Sequence, residues 1–233
     1  MGQKVNPIGF RVGITEPWSS TWYAPKAAYG AFLIEDHKLR KYIDRKLNRR
    51  PPFAAVARID IERTREEVTI TLRTARPGLV IGPKGAEVDK LREEIEDMIG
   101  RKVAPVKVIE IKNPDLNAQL VAEAIAEQLK KRASFRRVLK MRMDTTMQAG
   151  AKGIKICVSG RLGGAEIARQ EKSGMGSVPL TTLQANVDYG FAPAFTTYGA
   201  IGVKCWIYRG LYGEEIQDTE VRPGGGGPRR GRR

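Results

Sequence analysis

Apolar residues recur along the chain with two periods, and the changes of period divide it. Leu39, Ile43 and Leu47 lie four apart, which predicts an amphipathic helix over residues 39–47 that Pro51-Pro52 ends. Val56, Ile59 and Ile61 mark a strand. Val68-Thr69-Ile70-Thr71-Leu72 alternates apolar and polar positions with β-branched residues, the pattern of a half-buried strand. Pro77 opens a short apolar turn up to Ile81. Residues 87–99 then place Val88, Leu91, Ile95, Met98 and Ile99 at helical spacing, closed by Gly100, and residues 106–111 return to strand. After Pro114, Leu120, Val121, Ala124, Ile125 and Leu129 predict a helix over 116–131. Phe135, Val138, Leu139 and Met143 predict a second over 134–148. Beyond it the pattern predicts a strand over 153–159, a short helix over 164–171, and two strands over 188–209 broken near Gly202. Residues 1–30 hold no sustained period and predict an extended, aromatic-bearing arm. From Arg222 onward the Arg/Gly run has nothing to bury and predicts disorder.

The junction after Ile81 carries the most distinctive motif, Gly82-Pro83-Lys84-Gly85. Two glycines around two variable residues let a backbone approach a phosphate chain, since no Cβ blocks the way. Helix, strand, strand, short helix, GxxG, helix, strand is the order of a type II KH domain, whose GxxG loop clamps single-stranded nucleic acid. The expected organisation is α+β: an N-terminal arm (1–38), a type II KH domain (39–112), a second α/β domain (113–212) and an Arg/Gly-rich tail (213–233). Pro83 lacks an N–H, which removes one phosphate donor and stiffens the loop. A nucleotide grip and a loop serving mainly in packing are both compatible with that residue.

Charge then shifts attention away from the loop. The formal net charge is +15, so the first partner to consider is a polyanion. Residues 1–52 carry ten Lys/Arg against four Asp/Glu, whereas residues 53–112, which contain the GxxG, carry twelve against eleven. Residues 113–220 carry fourteen against eleven, and residues 221–233 add five arginines without an acid. Between Lys130 and Arg142 stand seven basic residues and no acid. Arg132, Arg136 and Lys140 follow at i, i+4, i+8, the spacing of one longitudinal stripe on a helix, with Arg137 and Lys130 beside it. Like charges at that spacing repel by a few tenths of a kcal/mol per pair, about 0.2–0.5. An external anion would relieve the repulsion.

Other chemistries lack their residues. His37 is the only histidine, so a His-rich metal site cannot form, and a Ser-His-Asp triad would rest on that one residue beside no recognisable nucleophile motif. No GxxxxGK[ST] loop is present, and adjacent acids such as Glu93-Glu94 and Glu214-Glu215 suit solvated surfaces. Neither catalysis nor a cofactor is expected. Cys157 and Cys205 lie in apolar strand-like runs and are expected as small buried hydrophobes in a reducing cytosol. No apolar run approaches the ~18 residues of a membrane span, and the N-terminus shows no signal-peptide core.

Several stretches resemble one family closely. They are the opening Met-Gly-Gln-Lys-Val-Asn-Pro-Ile-Gly-Phe-Arg, Thr74-Ala75-Arg76-Pro77-Gly78, Phe135-Arg136-Arg137, Gly153-Ile154-Lys155, the run from Ser159 to Arg169, and Thr196-Thr197-Tyr198-Gly199. They resemble the bacterial members of the universal family of the third protein of the small ribosomal subunit, from residue 1 to about 212. The resemblance implies a cytoplasmic ribosomal protein that binds rRNA in the head and lines the mRNA entry channel. It implies small-subunit proteins four, five, ten and fourteen as neighbours, with no membrane involved. Basic residues on the helix after the KH domain face mRNA in that family and match Arg136, Arg137 and Lys140; Arg132 extends the set. Gly82, Pro83, Lys84 and Gly85 would form the KH contact, with further rRNA contacts expected at Lys4, Arg11, Arg161 and Arg169. Two departures stand out. Pro83 replaces a basic residue of the GxxG interior, and residues 170–186 lack the family's aromatic- and Arg-bearing run. A free-standing KH-type RNA chaperone is the competing class, separable by whether the protein sediments with small-subunit particles.

Overall fold

The computed structural model describes residues 4–49, 53–64 and 67–213, and at Lys84 only the backbone. The expectations for the tail beyond 213 lie outside the described residues. Two four-stranded sheets organise the chain, each with its own core.

In the N-terminal half the elements run α1 (Pro7–Arg11), β1 (Ser20–Thr21), α2 (Lys26–Ile43), a π-helical turn Asp44–Asn48, β2 (Val56–Arg63), β3 (Val68–Thr74), α3 (Pro77–Ile81), a 3-10 turn Pro83–Gly85, α4 (Ala86–Ile99) and β4 (Lys107–Glu110). Strand order is β1-β2-β3-β4, with β2 and β3 antiparallel and the two outer pairings parallel. The alternation in β3 does what its pattern predicts: Val68, Ile70, Leu72 and Thr74 are buried and the residues between them are more exposed. Leu91 and Ile95 of α4 close over that face beside Leu39 and Ile43 of α2. Each such side chain fully withdrawn from water contributes about 1.5–3 kcal/mol. This is the type II KH order expected from the sequence.

The C-terminal half runs α5 (Ala118–Lys130), α6 (Phe135–Gln148), β5 (Gly153–Gly160), β6 (Arg169–Gly176), β7 (Ala185–Thr196) and β8 (Gly199–Leu211), with sheet order β6-β5-β8-β7. Asn117 caps α5 by accepting from the backbone N–H groups of Gln119 and Leu120. That helix end comes very close to the sheet at Gly190. A Cβ there would lie 2.2 Å from the Ala118 carbonyl oxygen, so only glycine permits the approach. Cys157 and Cys205 are buried on β5 and β8. Burial pushes the Cys205 thiol up, away from the reactive thiolate.

Several expectations need correction. Residues 4–30 are not an extended arm: α1, β1 and the start of α2 all fall there, and α2 crosses the 38/39 boundary unbroken. Tyr29, Leu33 and Ile34 face outward on the first turns of α2, so no buried apolar stripe marks its beginning. Residues 164–171 are not helical. Gly163 and Gly164 take positive φ, and the chain then pairs along β5 as edge strand β6. The last hairpin turns at Thr197-Tyr198, where Gly199 has φ 127°, and Gly202 lies within β8 opposite Ser159 and Pro193.

Arg11 is the largest surprise. It was expected to contact rRNA, yet it is 0% exposed. Its guanidinium donates to the carbonyls of Ala185 (2.8 Å), Pro7 (3.0 Å), Leu180 (3.1 Å), Thr182 (2.7 Å) and, at 3.4 Å, Pro179. A few residues later β1 pairs with β2, and Glu16 reaches both Arg58 of the KH sheet and the Tyr212 hydroxyl. The N-terminal segment is thus a strap between the two halves. Burial, with the carboxylate beside it, pushes the Tyr212 hydroxyl up to about 12.

Candidate nucleic-acid interface

Two helix N-termini could meet a polyanion, and they are built oppositely. Every helix begins with unsatisfied N–H groups and a partial positive charge, which favours anions nearby. At α4, directly behind the GxxG, Glu87 and Asp89 occupy the first turn and already supply that negative charge. At α6 the first turn holds no acid and carries Arg136 and Arg137. Cations there cost helix stability, roughly 0.3–1 kcal/mol each at the surface. An arriving phosphate would meet favourable charge at α6 and carboxylates at α4.

The loop itself has the backbone the motif predicts. Gly82 has φ 69° and Gly85 φ 82°, both in the region that L side chains avoid. A Cβ on Gly82 would also lie 2.6 Å from Glu87 Cγ, so this glycine serves packing as well as conformation. The N–H groups of Gly82, Gly85 and Ala86 donate to the carbonyls of Gly78, Gly82 and Pro83. Pro83 has none. It occupies the first position of the 3-10 turn, where a missing N–H and a fixed φ are tolerated.

Arg136, Arg137 and Lys140 are exposed on α6, with Arg136 and Lys140 four apart on one face. Among the described residues, no carboxylate lies within ion-pair distance of these three. By contrast Lys131 pairs with Glu127 at 2.7 Å and Arg142 reaches Asp115 at 3.6 Å. Arg132 does not belong to the helical stripe. α5 ends at Lys130, α6 begins at Phe135, and Arg132 sits in the turn between them at φ 59°. It is exposed beside the ridge but points from a separate segment.

The other expected contacts are dispersed. Lys4 is exposed ahead of α1. Arg161 is half-buried after β5, where its Nε donates to the Ala165 carbonyl (2.8 Å) and its guanidinium lies 5.8 Å from the Tyr198 ring. Arg169, exposed on β6, joins the ridge through Phe135: the guanidinium groups of Arg136 and Arg169 lie 5.6 and 5.8 Å from that ring's centre. Nothing in the spacing of Phe135 and Arg169 announces this meeting, because β6 itself was not legible as a strand.

The match to family models divides where the fold does. Residues 38–116 match the KH domain, and residues 125–207 match the C-terminal domain of ribosomal protein S3. Over almost the whole chain the protein is similar to relatives called small ribosomal subunit protein uS3. That of Rhodopirellula baltica is 51% identical over 96% of this chain and 95% of its own length. That of Desulforamulus reducens is 52% identical over 97% and 100%, and that of Pelotomaculum thermopropionicum 55% over 90% and 89%. Identity at this level over 90% or more of the chain makes it a member of the small ribosomal subunit protein uS3 family.

Proposed function

We propose that the protein is a structural constituent of the small ribosomal subunit in the cytoplasm. It binds rRNA in the head and lines the mRNA entry channel with the ridge on α6. The proposed neighbours are small-subunit proteins four, five, ten and fourteen. The observation that carries the channel role is the acid-free N-terminal half of α6, where exposed Arg136, Arg137 and Lys140 add to the helix dipole. Phosphates bound there neutralise charges that the fold leaves unpaired. The mechanism is electrostatic: contacts along the ridge hold separated strands and bias them against re-pairing, while translocation supplies the work. The GxxG loop keeps the KH architecture and contributes less grip, since acids flank its helix and most of its N–H groups are engaged internally.

The reading predicts how binding depends on salt. Each phosphate contact on a single strand contributes about 0.7 to the slope of log K against log salt concentration. Replacing Arg136, Arg137 and Lys140 by Ala should therefore flatten that slope by about 2 for unstructured RNA. A slope unchanged by the triple replacement would remove the ridge from the binding surface.

A further inference from the structure

Beside the ridge, between α6 and β6, runs a groove of about 290 Å³. That is the small end of ligand clefts, which start at roughly 300 Å³. Phe135 and Met175 supply apolar surface, Arg136 and Lys140 supply positive charge, and Ser173 of β6 presents only a small side chain to the opening. Asp144 and Glu171 also line it. Carboxylates oppose a phosphate lodged within the groove, but they accept hydrogen bonds from the exocyclic amine of a base such as cytosine. Aromatic rings and guanidinium planes are the surfaces on which unstacked bases settle. Here Phe135 and Arg136 line the groove, and the guanidinium groups of Arg136 and Arg169 lie against the Phe135 ring.

We propose that this groove holds one unpaired, amine-bearing nucleobase of the RNA strand whose phosphates lie along Arg136 and Lys140. The inference rests on α6 being the RNA-facing ridge and adds a base-recognition site to it. A base captured there could not re-pair, so the site would hold strands apart by stacking as well as by charge. Charge complementarity selects this occupant: cations stand where a sugar-phosphate chain would pass, and acceptors stand where a base edge would enter.

The test uses the full chain and two probes of equal length at one salt concentration, an oligocytidine and an abasic ribose-phosphate oligomer. The protein should prefer the base-bearing strand by about 5- to 10-fold, within the range that base stacking on an aromatic residue provides. Ser173→Ile, which fills the groove from an edge strand, should cut that preference by at least half its logarithm and leave abasic binding unchanged. Phe135→Leu should act in the same direction. Unchanged far-ultraviolet circular dichroism and melting would show that Ser173→Ile folds. Equal binding of both probes by the wild-type chain, or a full preference retained in a folded Ser173→Ile, would overturn the groove site, as expected if a polypeptide occupies it instead. Neither result would touch the ridge, whose failure would appear separately as abasic binding indifferent to loss of Arg136 and Lys140.

Discussion

Arg132 holds φ 59°, a left-handed conformation that costs an L residue about 1–2 kcal/mol. Glycine would meet the same turn without that strain, yet the position carries an exposed cation beside the ridge. Arg132→Gly should therefore leave stability unchanged or raise it by up to about 1 kcal/mol in urea unfolding, while weakening RNA binding. A clear loss of stability would mean that the side chain is structural. The basic residues separate by their surroundings: Arg136, Arg137 and Lys140 lack carboxylate partners among the described residues, whereas Arg11 is consumed by five carbonyls. Sequence shows the charge of each. Its environment comes from segments over 160 residues away, such as the carbonyls of Pro179 and Thr182 that Arg11 meets.

Elements were legible where burial on one side imposes a period. β3, α4, α5 and α6 have such faces, and their positions follow from Val68, Leu91, Ile125 and Leu139 and their neighbours. The first turns of α2 and the whole of β6 were not, because their outward positions follow no apolar rule. Tyr29, Leu33 and Ile34 point to solvent, and β6 is an edge strand rich in Lys, Glu, Ser and Gly. That blind spot hid the groove, whose second wall is β6. The strap was hidden for a related reason, since α1 is held by one buried guanidinium. Arg11→Met keeps the stem and deletes that group, leaving buried carbonyls without their donor. The C-terminal half should lose about 3 kcal/mol of stability, with faster amide exchange along β7 as the second sign. Unchanged exchange there would show that the strap is dispensable.

At the scale of the whole molecule, two domains with separate cores meet one strap, and positive charge is concentrated away from the motif that identifies the fold. Residues 53–112, which hold the GxxG, are nearly neutral and acidic at the helix behind it, while α6 gathers exposed cations at a helix N-terminus. Family membership was readable from the linear run Ser159–Arg169 and the opening residues, because such matches need no three-dimensional knowledge. The proposed division of labour between loop and ridge is already suggested by the charge along the sequence, whereas which N–H groups and which cations are engaged comes from the structure. The most direct measurement of that division is translation by small subunits carrying Arg136→Ala, Arg137→Ala and Lys140→Ala together, on messages that differ only in a stable hairpin downstream of the start. The ridge account predicts a larger loss of elongation rate on the structured message than on the unstructured one. Equal losses on both messages, or none on either, would contradict it.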